Sequence, residues 1–131
     1  MRSAELEEKP QSLDSFEKLL AWQAARELAK QTYILTRSFP RDEQFALTNQ
    51  MRRAASSVSA NIAEGFSRQT IADKLHFYTM AAGSLTELQS FLYIAMDVGY
   101  INEKERMVIY TYSVKAHKLL IGLIKSTRNR K

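Results

Sequence analysis

No cysteine occurs among the 131 residues. Disulfide frameworks, thiol catalysis and cysteine-containing zinc sites are thereby excluded, which favours a reducing compartment. Glycine and proline are almost as scarce, at four and two residues, where average usage is roughly 7% and 5%. So few turn formers argue against a sandwich or barrel and for a few long helices. Long apolar runs are missing as well: no window approaches the ~18 uninterrupted apolar residues of a membrane span. The opening stretch MRSAELEEKPQSLDS lacks an apolar core of signal-peptide length. A cytoplasmic protein without a membrane partner is expected. What is present, 45% apolar and 25% charged residues, suits one domain, since a chain of this size can hide roughly 65–70% of its unfolded surface around one core.

The formal charge of +5 is unevenly placed. Residues 1–65 carry nine Lys/Arg and nine Asp/Glu, whereas residues 66–131 carry ten and five. From Lys115 onward come Lys118, Lys125, Arg128, Arg130 and Lys131 with no acid between them. Such a run attracts polyanions, although a solvated basic tail has the same composition.

Residues 1–14 are polar, with Glu5, Glu7 and Glu8 clustered ahead of Pro10, and read as an arm outside the domain. Residues 15–126 carry four helical patterns, and 127–131 form a basic tail. The first pattern starts at Ser15 or Leu19 and stops at Phe39-Pro40, with Trp22, Ala25, Leu28, Ala29 and Leu35 on one face. The second opens near Asp42, repeats Leu47, Met51, Ala54, Ala55, Val58 and Ile62, and is expected to end at Gly65 as a left-handed cap. The third starts near Thr70, with Asp73 in capping position, and carries Leu75, Tyr78, Ala82, Leu85, Leu88, Leu92 and Ala95 to Gly99. The fourth begins at the N-cap Asn102 and repeats Met107, Tyr110, Val114, His117, Ile121 and Ile124. Short connections between helices of this length predict an all-α, antiparallel up-and-down four-helix bundle.

Two helices are small or apolar beyond the face a lone bundle would bury. Ser56, Ser59, Ala60 and Ala63 recur at i, i+3, i+4, i+7 on the far side of the second helix and would admit close approach of another helix. Phe77, Met80, Phe91 and Val98 form a shoulder beside the main stripe of the third. A broad core contact or a subunit interface accounts for both features, and self-association is the expectation.

Catalytic signals are lacking. His76 and His117 are the sole histidines, and neither has a metal-ligand partner at i+3 or i+4; His117 reads as a core or interface residue. There is no G-x-S-x-G elbow, no phosphate-cradling glycine loop and no recognisable pair of carboxylates. The six tyrosines sit at helical spacings that suit the bundle better than a base-stacking platform. The expectation is a non-enzymatic protein with no catalytic residue, no metal and no cofactor. Cationic candidates are more numerous. Arg52 should flank the core stripe and Arg53 oppose it, one bracing and one binding. Arg68 and Lys74 extend this region toward the start of the third helix, unless they pair with Glu64, Asp73 or Glu87. Lys115, Lys118 and Lys125, with Gly122, make one longitudinal stripe that suits a polyphosphate.

The run Leu47-Thr48-Asn49-Gln50-Met51-Arg52-Arg53-Ala54-Ala55-Ser56-Ser57-Val58-Ser59-Ala60-Asn61-Ile62-Ala63-Glu64-Gly65 resembles the signature segment of bacterial four-helix-bundle proteins related to the 23S rRNA intervening-sequence protein. Phe16-Glu17-Lys18-Leu19 before Trp22-Gln23, Phe39-Pro40, Gly83-Ser84-Leu85-Thr86-Glu87-Leu88 and Gly99-Tyr100-Ile101 extend the resemblance, in order, over about residues 16–125. It implies a homo-oligomer, usually a pentameric barrel, without known catalysis. The accessory variability determinant of diversity-generating retroelements, a more distant relative, binds nucleic acid and a reverse transcriptase through basic surfaces. Of the basic candidates, the resemblance carries over Arg52 and Arg53, whereas Trp22, Asn61, Glu64 and Glu87 match positions read as structural. The family commonly has Pro where this chain has Ser59 and Gly where it has Ala46, so a more regular second helix is expected. Together these readings favour a nucleic-acid-binding oligomer with RNA preferred over DNA; the alternative is a scaffold or accessory subunit for a nucleic-acid enzyme.

Overall fold

The computed structural model describes residues 15–130; the arm at 1–14 and Lys131 lie outside the described residues. A 3-10 turn at Phe16–Lys18 leads into α1 (Leu20–Thr36), and a second at Arg41–Glu43 leads into α2 (Leu47–Ser67). α3 (Ile71–Asp97) and α4 (Glu103–Arg128) follow, and no strand occurs among the described residues. Each helix packs on two others in the cyclic order α1, α2, α3, α4, so the four form a bundle around one core. Leu28, Met51, Val58, Ile62, Leu85, Leu88, Leu92 and Leu120 are fully buried there, each stabilising the fold by roughly 1.5–3 kcal/mol.

Local chemistry fixes most boundaries. The Thr70 hydroxyl accepts the Asp73 N–H at 3.0 Å and starts α3. Asn102 and Glu105 form a reciprocal capping box at the start of α4. α3 ends where Gly99 turns left-handed at φ 86°, with Tyr100 N–H donating to Ala95 O and Gly99 N–H to Met96 O, the double bond of a Schellman stop.

The second helix departs from expectation at both ends. It begins at Leu47, not near Asp42, because residues 41–43 form a separate 3-10 turn. Ala46 therefore stands at the N-cap, outside the helix, so its replacement of glycine does not regularise α2; through Ser59 the helix does run without a break. Glu43 supplies the cap that Ala46 cannot: its carboxylate accepts the Leu47 N–H at 3.1 Å and the Tyr100 hydroxyl at 2.7 Å. The Tyr100 hydrogen bond, followed by that from Leu47, holds the Glu43 carboxyl below its ordinary value.

Gly65 is not the left-handed cap of α2. It lies inside the helix and is buried, and the helix runs on to Ser67. A Cβ there would stand 2.7 and 2.9 Å from ring carbons of Tyr78 and 3.0 Å from Cβ of Phe77. The glycine is needed for close approach of α2 and α3, not for a turn.

Helix four is rotated from its expected face. The buried positions are Arg106, Ile109, Ser113, Ala116, Leu120, Ile124 and Thr127, whereas Met107 and His117 are exposed and Tyr110, Val114 and Ile121 are half-buried. Two adjacent stripes of α4 are apolar enough to be core. The one chosen contains small Ser113 and Ala116, which let α3 and α4 pack closely: Gln89 donates to the Ser113 hydroxyl at 3.0 Å. His117 is therefore a surface residue.

Candidate nucleic-acid interface

The basic stripe lies on the outside of α4. Lys115, Lys118, Gly122 and Lys125 are all exposed. The helix period places them on one line, because the face that packs on α1 and α3 is the Ile109-Ser113-Ala116-Leu120 side. Arg128 in the last turn and Arg130 just beyond the helix are also exposed. No ion pair among the described residues involves any of these five cations. Lysines in the last turns also complement the negative end of the helix dipole, so the stripe costs the fold little.

At this end of the bundle the stripe meets the start of α3. The Lys74 ammonium donates to Phe66 O at 2.7 Å and stands 5.2 Å from the Phe66 ring centre. Burial, and next the like charge of Arg130, push the Lys74 ammonium below its ordinary value. Burial likewise raises the Tyr78 hydroxyl, and Arg130 opposes that. Arg130 therefore lies close enough for its charge to be felt at the start of α3.

The other cations are engaged within the fold. Arg68 pairs with Glu64 at 2.7 Å and covers the Phe77 ring, the pairing that competed with a binding role. Arg52 is the bracing member of its pair. Its Nε donates to the Thr36 hydroxyl at 2.8 Å, its Nη2 to Tyr33 O at 3.4 Å, and its guanidinium lies 4.6 Å from the Tyr33 ring centre. Arg53 is exposed beside Asn49, Gln50, Ser57 and Glu87 around a cleft of about 350 Å³. Arg52→Ala is therefore expected to lower the thermal midpoint while the folded protein keeps most of its affinity for RNA. Arg53→Ala should leave the midpoint in place; thermal melts beside filter binding separate the two.

The candidate self-association residues sit on two surfaces. Ser56 and Ala60 line a cleft of about 720 Å³ with Tyr33, Thr48 and Phe45, the last 88% exposed. Ser59 and Ala63 are half-buried one turn on. On α3, Met80 and Val98 are 42% and 54% exposed, and Ile94 between them 45%. Phe77, beside Gly65 of α2, and Phe91 are half-buried. Asn61, matched as structural, donates to the Ser57 carbonyl and hydroxyl at 2.9 Å within α2; the same Ser57 hydroxyl accepts from Ser84 of α3 at 2.8 Å and joins the two helices.

Arg106 was not legible as a site residue. It is 7% exposed, forms a two-point ion pair with Glu103 at 3.0 and 2.9 Å, and lies 4.6 Å from the Tyr93 ring centre and 5.7 Å from that of Tyr110. The Glu103 carboxyl is held down chiefly by the Arg106 hydrogen bonds, and Arg106 is raised in turn. A charge inside a helix normally reads as exposed; the two tyrosines at matching depth are the signal that could have placed it. Tyr33 and Tyr93 thus serve as platforms for arginine, while Tyr78 lines the core.

Among the described residues, no group of three or more His, Asp or Glu side chains is placed to hold a metal, and no helix is long and apolar enough to cross a membrane. The sequence profile described as 23S rRNA-intervening sequence protein matches residues 17–122. In fold, the chain is similar to a crystal structure of a protein of unknown function from the S23 ribosomal protein family of Bacteroides thetaiotaomicron VPI-5482. The identity is 25% and the TM-score 0.75, covering 81% of this chain and 96% of that one. None of the curated proteins matches this chain.

Proposed function

The chain belongs to the 23S rRNA-intervening sequence protein family, and from that premise we propose that it is a non-enzymatic, oligomeric protein that binds structured RNA in the cytoplasm through phosphate contacts. The observation that carries this reading is the exposed line of Lys115, Lys118, Lys125, Arg128 and Arg130, interrupted by no acid along α4. Lysines on a helix face neutralise phosphates and offer no fork that reads bases, so binding tolerates sequence and depends on salt. An up-and-down antiparallel path of the helices has support in paired contacts. Gly65 approaches Tyr78 while Ser57 meets Ser84, and Gln89 meets Ser113 while Tyr93 meets Arg106.

The assembly is a homo-pentamer on this reading. The apolar positions Met80, Ile94 and Val98 on α3 and Phe45 beside the α2 cleft support a covered surface. Repetition around a ring makes individually weak phosphate sites strong. Size exclusion coupled to light scattering, on protein purified without nuclease, tests both halves. The expected result is a discrete oligomer whose nucleic-acid absorbance is present at low salt and stripped at high salt. A monomer with a clean protein spectrum would remove the reading. A partner that stays bound through nuclease treatment and high salt would instead indicate a protein-interaction scaffold.

A further inference from the structure

We propose that the polar cleft between α2 and α3 is a binding site for guanine, presented either by a free nucleoside or nucleotide or by an unpaired base of RNA. It goes beyond the phosphate track on α4 and does not depend on it, since α2 and α4 do not pack on each other. The cleft holds about 350 Å³ and is lined by Asn49, Gln50, Arg53, Ala54 and Ser57 of α2 and by Glu87 of α3. Asn49, Arg53 and Ser57 recur at four-residue spacing, with Gln50 and Ala54 beside them, so α2 supplies one continuous wall. Glu87 alone lines the other side. A space of this size is at the small end for ligand sites. It has no room for a partner helix, whose diameter is about 10–12 Å, and it suits a single base.

The chemistry of the two walls selects the occupant. Arg53 and Glu87 line one cleft with opposite charges, yet they form no ion pair with each other or with any other described residue. The Ser57 hydroxyl accepts from Asn61 at 2.9 Å and from Ser84 at 2.8 Å; with both lone pairs engaged, its own proton is left to donate. A guanidinium only donates and a carboxylate only accepts, so the occupant must offer acceptors to Arg53 and Ser57 and donors to Glu87. Guanine does both along one continuous edge. Its N2 amine and N1–H donate side by side, matching the two oxygens of Glu87, and its O6 and N7 follow as the acceptor pair that arginine reads with two hydrogen bonds. Adenine and cytosine carry one amine each and uracil a single N–H between carbonyls, so none of them puts two adjacent donors on Glu87. The carboxamides of Asn49 and Gln50 donate and accept, and serve either end of the edge. Unpaired bases of RNA loops expose this edge as free nucleosides do.

Isothermal titration calorimetry of the full chain with guanosine, inosine and adenosine tests the assignment. Guanosine is expected to bind about tenfold tighter than inosine, which lacks only the N2 amine, and adenosine to bind more weakly than either. Glu87→Gln should weaken guanosine about tenfold and remove most of its advantage over inosine. Arg53→Ala should instead weaken guanosine and inosine alike, because both keep O6 and N7. Both side chains are exposed, so the circular dichroism spectrum should not change. The Lys115→Ala/Lys118→Ala/Lys125→Ala variant should bind guanosine as the wild type does. No guanosine binding, equal affinity for the three nucleosides, or an unaltered guanosine preference in Glu87→Gln would overturn the site. Hairpins with guanosine or inosine at one loop position separate the two sources: tighter binding of the guanosine hairpin assigns an RNA base, and equal hairpins beside guanosine binding assign the free nucleoside. Guanosine binding by a protein that binds no hairpin would uphold the cleft and remove the RNA reading alone.

Discussion

Gly65→Ala is expected to destabilise the protein by about 2 kcal/mol, although helix propensity alone predicts a gain of ~1 kcal/mol at an interior helical position. The contact outweighs the propensity. The new methyl would meet two ring carbons of Tyr78 at 2.7 and 2.9 Å and Phe77 Cβ at 3.0 Å, and Tyr78 is 1% exposed, so its ring has no open space to enter. Overpacking of this kind costs roughly 1–3 kcal/mol and sometimes more. Three simultaneous contacts place it at the upper end. For a chain of this size the thermal midpoint should fall by roughly 8 °C. Gly83 and Gly122 are the controls, since a Cβ at either meets nothing within 4 Å. Gly83→Ala and Gly122→Ala should each raise stability by about 0.4–1 kcal/mol. A midpoint for Gly65→Ala that matches these controls would mean that α2 and α3 move apart at little cost.

The second large effect concerns binding. Lys115→Ala, Lys118→Ala and Lys125→Ala combined should weaken binding of an RNA hairpin by about 10- to 100-fold and make the log–log salt slope shallower by about 2 to 3, at roughly 0.7–0.9 per lost phosphate contact. All three side chains are exposed, so the circular dichroism spectrum and melting curve should not change. The loss should be nearly uniform across RNA sequences, because these contacts position the nucleic acid and do not read it. Lys104→Ala, an exposed change in the first turn of α4 next to Glu103 and Glu105, is the comparison and should alter affinity little. A triple variant that keeps both its affinity and its salt slope would remove α4 as the binding surface.

Helix number and most helix ends could be read from the residues because their signals are local. Thr70, Asn102 and Gly99 act on backbone groups within a few positions, and sequence displays such neighbours directly. Gly65 was misread for the opposite reason. A glycine near a helix end suits a left-handed cap, but its role here is set by Tyr78, thirteen residues on and on another helix. The rotation of α4 has a similar origin. Two neighbouring stripes score alike in apolar content, and the choice between them is made by the fit of Ser113 against Gln89 and of Arg106 between two tyrosines. Among the cations, the exposed stripe followed from helical spacing, because exposure on one face needs no knowledge of a partner. The partners of Arg52 and Lys74 could not be named, since Thr36, Tyr33 and Phe66 reach them through the tertiary fold, whereas the Arg68–Glu64 pair is local and was among the alternatives at four-residue spacing. That Arg52 and Arg53 point to different places was visible from their angular separation; which of them braces depends on Thr36 and Tyr33 of α1.

The cyclic order of the helices also governs how quickly the chain finds its structure. α1 with α2, α2 with α3 and α3 with α4 are contacts between consecutive elements, and only α1 with α4 joins the two ends of the domain. Three of the four seams thus close short loops, and a topology so rich in local contacts belongs to the microsecond-to-millisecond folding range. The remaining seam closes the longest loop and carries the largest chain-entropy cost, so the meeting of Leu20 and Ala24 with Leu119 is placed late on the folding route. Substitutions in that seam act mainly on the unfolding rate, which leaves the protein's speed of renaturation to the hairpin built around Gly65 and Tyr78.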